Sequence, residues 1–417
     1  MGRLLKRFFE ELIVEGSIEV TCAKQVRYAI GGGSGMAPAI RFTDRAAELR
    51  LLANPALAFG ELFTEGRLVV TRGSIYDVIA LAARNLALQK PAWWLSIRER
   101  LRTTLWRLTQ RNSERRSRRN VAHHYDLDRR LYELFLDADL QYSCAYFERP
   151  SQSLEEAQLA KKRHVAAKLL VEAGHRVLDI GSGWGGLGLY LAECCGAEVT
   201  GITLSQEQLA VARTRAQQQG LAATVGFRLQ DYRAVTGRFD RIVSVGMFEH
   251  VGVGHYGAFL AKASDLLADD GVMLLHSIGR IDGPSATNPW IAKHIFPGAY
   301  IPALSEILPA IERAGLVVTD VELLRLHYAD TLRAWRDRFL ARRAEAEALS
   351  DQRFARMWEF YLAACEAGFR YGGLMVFQVQ LARRLDAVPL TRAYIAQREA
   401  ALRSQETRGA SVMVAAE

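Results

Sequence analysis

The sequence predicts an α/β fold, in which a doubly wound, mainly parallel sheet follows a small N-terminal α+β domain. Beyond about residue 121, apolar strand-like runs alternate with helical patterns, as in parallel strands joined by crossover helices. The first run leads into glycines at positions 181, 183 and 185, which is typical of a strand that ends at a nucleotide-like ligand. The chain has 417 residues, 50% hydrophobic and 24% charged, a globular composition with room for two or three domains.

Residues 1–90 form the predicted N-terminal domain, for which we expect a lipid- or membrane-binding role. An amphipathic helix is predicted over 4–13, where apolar residues recur at helical spacing. Short β-like runs and a second helix follow, at 17–21, 25–30, 66–70 and 76–88. No residue in this part suggests catalysis.

A basic linker over 91–120 separates the two domains. Its stretch 98–119 holds nine Arg and two Glu, a net charge of +7 out of +8 for the whole chain. Apolar residues share one helical face of this linker: Trp94, Ile97, Leu101, Leu105 and Leu108. The pattern is typical of an amphipathic helix on an anionic membrane, and an interdomain helix with a solvated basic face is the alternative. Since little net charge is left elsewhere, we expect no nucleic-acid partner.

The predicted catalytic domain spans 121–400, and 401–417 is expected to be a flexible tail. Candidate strands lie at 177–180, 198–202, 225–229, 241–245 and 272–275. No apolar run reaches the roughly 18 residues that cross a bilayer. Five cysteines without a CxxC pair indicate a reducing compartment and no metal site. We therefore expect a cytoplasmic protein that associates peripherally with the inner face of the membrane.

The glycine loop favours S-adenosylmethionine over NAD. A dinucleotide fingerprint is GxGxxG with an acidic residue about 20 positions later, whereas this loop reads GSGWG at 181–185 and the second strand ends in GITLS at 201–205. S-adenosylmethionine lacks a pyrophosphate, and its ammonium and sulfonium suit Asp179 and nearby backbone carbonyls. Gln208 is expected near the ribose and Asp231 near the adenine, with a plain turn residue as the alternative for Asp231.

The motifs of the large domain resemble those of the cyclopropane-fatty-acyl-phospholipid synthases and the related mycolic acid cyclopropane synthases, over most of residues 120–380. In chain order they are HHYD at 123–126, QYSCAYF at 141–147, the glycine loop, TLS at 203–205, FDRIVSVGMFEH at 239–250, LLHSIG at 274–279, Tyr328 and AAC at 363–365. One departure is Ser182, where many members have Cys. We expect little effect, because this loop is read through its backbone.

The resemblance implies a Rossmann-like S-adenosylmethionine-dependent methyltransferase fold. It also implies transfer of a methylene from S-adenosylmethionine to the cis double bond of an unsaturated phospholipid acyl chain. An alkene is a weak nucleophile, so the sulfonium methyl must be held close and in line, with water excluded from the carbocation. The cofactor-binding residues carried over are Tyr142, Ser143, Asp179, Gly181, Gly183, Gly185, Thr203, Gln208, Asp231 and Tyr232. Aromatic side chains that either line the cation or only pack in the core are Tyr142, Tyr146, Phe147, Tyr328, Phe369 and Tyr371.

The resemblance further implies a bound bicarbonate as the base that takes the methyl proton. Its expected pocket is Cys144, Glu249, His276, Ile278 through its backbone, and Tyr328. A carboxylate beside an anion is repulsive unless Glu249 accepts the bicarbonate hydroxyl proton, while His276 and Tyr328 donate to the anion. The alternative for the Glu249-His250 pair is a helix N-terminal acid beside a surface histidine.

Cys365 matches a cysteine that has been assigned as catalytic in the family. Cyclopropanation needs no covalent enzyme intermediate, and the largely apolar sequence neighbours of Cys365 do not suggest a depressed thiol pKa. We therefore predict that Cys365 forms part of the pocket wall rather than acting as a nucleophile.

Three other functions fit parts of the sequence. A fatty-acyl C-methyltransferase would quench the same cation to give methyl-branched chains. A nucleic-acid methyltransferase is disfavoured, because residues 245–249 read VGMFE where base N-methylation often uses Asn-Pro-Pro-aromatic. A non-enzymatic lipid-binding protein built on residues 1–120 leaves the catalytic motifs unexplained. The expected partners are unsaturated phospholipids and an anionic bilayer surface, and a homodimer is expected from the resemblance alone.

Overall fold

The computed structural model describes residues 2–32, 37–89 and 128–414, with side chains described to residue 407. The basic stretch at 98–119 and the HHYD motif at 123–126 lie outside the described residues. None of the helices within these ranges is both long and apolar enough to cross a membrane.

The N-terminal domain is a four-stranded sheet with four helices. In chain order its elements are α1 (Gly2–Leu12), β1 (Gly16–Thr21), β2 (Arg27–Gly32), β3 (Ala39–Phe42), α2 (Arg45–Ala53), α3 (Pro55–Thr64), β4 (Leu68–Arg72) and α4 (Ile75–Leu88). The strand order is β2-β1-β3-β4, with β1 parallel to β3 and the other neighbours antiparallel. The two predicted helices and three predicted strands are confirmed, whereas β3, α2 and α3 are additions.

The large domain is built on a seven-stranded sheet. Its first elements are α5 (Arg129–Glu133), α6 (Leu154–Lys168), β5 (Arg176–Ile180), α7 (Gly186–Cys195), β6 (Glu198–Thr203), α8 (Gln206–Gln218), β7 (Val225–Leu229), β8 (Phe239–Val245) and α9 (Tyr256–Leu266). There follow β9 (Leu267–Arg280), α10 (Pro289–His294), α11 (Leu304–Arg313), β10 (Val317–Leu323), α12 (His327–Ala341), α13 (Arg343–Leu349), α14 (Gln352–Tyr371), β11 (Leu374–Ala382) and α15 (Ala393–Val414).

The sheet order confirms the predicted doubly wound architecture. It is β10-β11-β9-β8-β5-β6-β7, in which β5 to β9 are parallel. Strand β11 runs antiparallel to β9, and β10 runs antiparallel to β11. The five predicted strands correspond to β5 to β9, and the antiparallel pair at one edge was not predicted.

The small domain packs directly on helix α14. Gly60 of α3 lies so close to this helix that a Cβ there would be 2.6 Å from Cε1 of Phe360 and 2.6 Å from Nε1 of Trp290. One hydrophobic cluster joins Phe42 and Leu62 of the small domain to these aromatic residues. The N-terminal domain therefore supports the helix that carries Cys365.

The first part of the predicted flexible tail at 401–417 is instead ordered in helix α15, which packs on α6 and α7. The Glu406 carboxylate accepts 2.6 Å hydrogen bonds from Nη2 of Arg163 and from the Tyr190 hydroxyl. The prediction of a tail was wrong here. The polar composition of the segment gives no sign that one of its carboxylates, that of Glu406, has buried partners far away in the sequence.

Candidate active site

A cavity opens at the carboxyl ends of β5, β6 and β8, where doubly wound sheets bind their ligands. Loops that follow these strands and β7 line the cavity, together with residues 140–143 before α6. The structure brings nine of the ten predicted cofactor residues to this cavity: Tyr142, Ser143, Asp179, Gly181, Gly183, Thr203, Gln208, Asp231 and Tyr232.

Gly185 is the exception among the predicted cofactor residues. It precedes α7 with a φ of +86°, and a Cβ there would lie 2.8 Å from Cζ of Phe227 and 2.9 Å from Cβ of Ala212. Gly181, with a φ of +88°, does line the cavity, and a Cβ there would lie 2.9 Å from Cβ of Met247. Gly181 thus allows the loop after β5 to approach Met247 in the cavity wall, whereas Gly185 allows the start of α7 to pack against β7 and α8.

Asp179 at the end of β5 has an open carboxylate oxygen. The side chain is buried, and its Oδ2 has no hydrogen-bond partner among the described residues. Burial raises the pKa of Asp179 to about 7, although the nearby cation of Lys161 opposes the shift. A cationic ligand group would supply the missing partner, which fits the ammonium of S-adenosylmethionine.

Two side chains beyond β6 and β7 have defined orientations in the cavity wall. The Thr203 hydroxyl donates a 2.9 Å hydrogen bond to Oε1 of Gln208 and so orients its amide. The Asp231 carboxylate accepts from Nη2 and Nε of Arg233 at 2.7 and 2.8 Å and caps the 3₁₀ turn Tyr232–Ala234. Asp231 is therefore both a turn residue and a cavity residue, and its contact with adenine stays a prediction.

Glu249 is buried in the 3₁₀ turn Phe248–His250 that follows β8. Its Oε1 accepts a 2.6 Å hydrogen bond from the backbone N–H of Ile278, while Oε2 has no partner among the described residues. Burial raises the pKa of Glu249 to about 7. The neighbouring His250 lines the cofactor cavity, and burial lowers its pKa to about 4. Glu249 does lie in the first turn of a short helix, as the alternative had it, but its carboxyl is buried and His250 lines the cavity.

His276 lies on β9, two residues before Ile278, so the two side chains share one face of the sheet. Nε2 of Gln378, on the adjacent strand β11, is 3.2 Å from Nδ1 of His276. Burial lowers the pKa of His276 to about 3, so the imidazole is neutral at physiological pH. The Gln378 amide therefore engages Nδ1 of the ring, and Nε2 is left for a ligand.

The two predicted thiols are not poised as nucleophiles. Burial raises the pKa of Cys365 to about 12, and burial also holds the pKa of Cys144 far above its usual value. The Cys144 thiol donates to the backbone oxygen of Ala145. Since only a thiolate is a strong nucleophile, the pKa of Cys365 supports a role in the pocket wall.

Tyr328 and two other predicted aromatic residues form one buried group. The Tyr328 ring lies 4.7 Å from that of Phe369 and 5.8 Å from that of Trp335, and Trp335 stacks on Tyr142 at 5.2 Å. The remaining candidates make packing contacts elsewhere. Tyr146 stacks on His164 and His327, Phe147 stacks on His327, and Tyr371 lies beneath Arg84 of the small domain.

Two side chains at the site were missed in the sequence. The Tyr361 hydroxyl is 2.8 Å from the Tyr142 hydroxyl, one helical turn before Cys365 on α14. That spacing of four residues was a usable signal. Lys161 of α6 lines the cofactor cavity and is buried. The sequence pattern could not identify Lys161 as a buried residue, because its neighbours Lys162 and Arg163 are equally basic.

Comparison with known proteins assigns the family. The profile described as "Mycolic acid cyclopropane synthetase" matches residues 112–379. The chain belongs to this family. The cyclopropane-fatty-acyl-phospholipid synthase of Escherichia coli (strain K12) is 38% identical over 354 residues, which cover 85% of this chain and 90% of that protein. A probable fatty acid methyltransferase of Pseudomonas putida is 41% identical over 267 residues, covering 62% of this chain and 68% of that protein.

A solved member of the mycolic acid cyclopropane synthetase family has the same fold. Mycolic acid cyclopropane synthase CmaA1, complexed with SAH and CTAB, is 34% identical and superposes with a TM-score of 0.61. The match covers 63% of this chain and 97% of that one. The predicted enzyme class, an S-adenosylmethionine-dependent methyltransferase of this family that modifies lipids, is confirmed.

Proposed function

We propose that the enzyme transfers a methylene from S-adenosylmethionine to the cis double bond of unsaturated phospholipid acyl chains and forms cyclopropane rings. The observation that carries the proposal is Glu249, a buried carboxyl with one open oxygen in the turn that also lines the cofactor cavity. The Escherichia coli relative is named for this reaction, and it aligns with 85% of the chain.

The residues of the chain would bind and orient S-adenosylmethionine and exclude water from the acyl chain. S-adenosylmethionine, when bound, supplies the methyl group, and Asp179 and Gln208, which line the cavity, would hold it. The buried aromatic group around Tyr328, Phe369 and Trp335 would keep water away from a cationic acyl chain and stabilise it through a ring face. The thiol of Cys365 belongs to this wall and forms no bond to the substrate.

A small anion fits the polar atoms beside this wall. Oε2 of Glu249 is buried without a partner in the described part of the chain, and the Gln378 amide engages only Nδ1 of the neutral His276 ring, which leaves Nε2 for a ligand. Because its pKa is about 7, Glu249 is partly protonated at neutral pH and repels an anion less than an ordinary carboxylate does. Bicarbonate, when bound, would be held by Glu249, His276, Cys144 and Tyr328. It would act as the base that takes the methyl proton.

Ile278 was expected to act on bicarbonate through its backbone. Its backbone N–H donates to Oε1 of Glu249. The residue therefore orients the carboxyl of Glu249 and acts on an anion through it.

The reaction is tested with labelled S-adenosylmethionine and unsaturated phospholipid vesicles, with and without added bicarbonate. We expect a 14 Da gain in the acyl chains, resistance of the product to mild hydrogenation, and faster turnover with bicarbonate. Vesicles of fully saturated phospholipid are the matched control and should take up no label. A product that gains a further 2 Da on hydrogenation would instead be a methyl-branched alkene.

A fatty-acyl C-methyltransferase is the second candidate. The relative from Pseudomonas putida is named a probable fatty acid methyltransferase, at 41% identity. It would use the same cavity and differ only in how the cation loses its proton, so the hydrogenation step separates the two products.

We also propose peripheral binding to an anionic bilayer on the cytoplasmic side. The support is the net charge of +7 over residues 98–119. Neutralising Arg115, Arg116, Arg118 and Arg119 should weaken binding to anionic vesicles and turnover on them, with little change on zwitterionic vesicles. Unchanged binding and turnover would contradict this assignment.

A homodimer remains a proposal from the family resemblance, and sedimentation of the full chain tests it.

A further inference from the structure

Lys161 is a buried cation on the wall of the cofactor cavity. Its side chain lies on α6, and the residue is 1% exposed. The ammonium donates to the Ser143 hydroxyl at 2.8 Å and to Oε1 of Gln141. An ammonium has three N–H donors, so within the described residues one donor of Lys161 has no acceptor.

The charges that line the cavity fall into two classes. Asp231 and Arg233 form an ion pair at 2.7 Å. Lys161 and Asp179 form no ion pair with each other in the described structure, although the Lys161 cation influences the ionisation of Asp179. The Asp137 and Asp139 carboxylates favour the charged form of Lys161, but neither accepts a hydrogen bond from it in the described structure. A cavity lined by one open N–H of Lys161 and one open oxygen of Asp179 is suited to a ligand that carries both charges.

We propose that Lys161, together with the Ser143 hydroxyl, binds the α-carboxylate of S-adenosylmethionine, while Asp179 binds its α-ammonium. The amino-acid end of the cofactor is a zwitterion, and these residues present the complementary charges on one wall of the cavity. Fixing both charges orients the chain that leads to the sulfonium, and so positions the methyl group for in-line transfer. Lys161 thereby becomes a specificity-determining residue for the cofactor, whichever lipid product is formed.

The test compares S-adenosylmethionine with its decarboxylated analogue, which keeps the ammonium and sulfonium and lacks only the carboxylate. Calorimetric titration of the full-length wild type should show binding of S-adenosylmethionine about 10- to 100-fold tighter than that of the analogue. Lys161→Met should weaken the binding of S-adenosylmethionine by a similar factor and leave the binding of the analogue nearly unchanged. The ratio of the two affinities, which we call the preference, should therefore fall close to one. Ser143→Ala should shift the preference in the same direction by about 3- to 10-fold.

Lys168→Met is the matched control. Lys168 is buried on the same helix, but it pairs with Glu322 and Asp320 at 2.9 and 3.1 Å and does not line the cavity. Its variant should lose thermal stability and keep the wild-type preference. Equal weakening of both ligands by Lys161→Met, or a wild type that binds both equally, would overturn the proposal. If Lys161→Met does not fold, Lys161→Arg should keep the preference and Ser143→Ala should reduce it; any other result rejects the assignment.

Discussion

The backbone N–H of Ile278 donates a 2.6 Å hydrogen bond to Oε1 of Glu249, which joins strand β9 to the turn after β8. This bond holds one carboxyl oxygen in place and leaves the other, Oε2, buried and open. A carboxyl fixed in this way can exchange a proton with a bound group without having to reorient.

Glu249→Gln tests this arrangement. The amide oxygen can still accept from Ile278, but the side chain can no longer exchange a proton. We expect turnover to fall by about 10²- to 10⁴-fold, with unchanged affinity for S-adenosylmethionine. Turnover is measured with labelled cofactor and vesicles, and affinity by calorimetry. Turnover within about twofold of the wild type would remove Glu249 from the proton-transfer steps.

Asp179 should make cofactor binding depend on pH. Its pKa is raised to about 7 by burial, and the ligand ammonium favours the ionised carboxylate. The ionised fraction grows as pH rises, so affinity should increase about five- to tenfold between pH 6 and pH 7.5, with release of a proton. The facing Lys161, whose pKa is lowered to about 8 by burial, opposes this trend at higher pH.

Calorimetric titration in buffers of different ionisation enthalpy measures the proton release. Asp179→Asn should bind S-adenosylmethionine more weakly and show no increase of affinity over the same range. Absence of proton release by the wild type near pH 6.5 would contradict the role of Asp179.

Cys365→Ser should keep at least about a third of wild-type turnover, because a thiol with a pKa of about 12 has almost no thiolate at neutral pH. The measurement is turnover on unsaturated vesicles, with Glu249→Gln as the inactive comparison. Complete loss of turnover in a folded variant that binds S-adenosylmethionine would show that the sulfur takes part in the chemistry.

Gly185→Ala should lower the free energy of unfolding by about 2 to 4 kcal/mol, since it combines left-handed strain with a clash against Phe227 and Ala212. Gly220→Ala is the control: its φ is +69°, and no atom lies within 4 Å of the added Cβ, so strain alone should cost about 1 kcal/mol. Urea unfolding of both variants measures the difference. Equal losses would mean that close packing at Gly185 does not matter.

Glu406→Gln should destabilise the fold by about 1 to 3 kcal/mol, because it removes the carboxylate charge that pairs with Arg163 at 2.6 Å and leaves this arginine, whose side chain is 6% exposed, only the 3.5 Å ion pair with Glu148. Glu193→Gln, at an exposed position on α7, is the control and should change stability by less than about 0.5 kcal/mol. Urea unfolding is the measurement. A Glu406→Gln variant as stable as the control would restore the view of this segment as a tail.

Local patterns predicted much of this protein. The alternation of strand and helix signals gave β5 to β9, and the GxGxG spacing gave the cofactor cavity with Asp179 at its edge. Such signals work because periodicity and glycine conformation are properties of neighbouring residues. Strands β10 and β11 were not predicted from the sequence. Strand β11 follows a partly apolar helix, and the edge strand β10 contains the charged residues Asp320 and Glu322.

The sequence by itself determined the fold class, the family and the cofactor. Only the tertiary structure decided which oxygen of Glu249 is open, that Gly185 serves packing, that Glu406 anchors the last helix, and that Lys161 and Asp179 face one cavity. These are pairings between residues distant in the chain, and burial sets their pKa values and unmet hydrogen bonds. A pattern read along the backbone contains neither quantity.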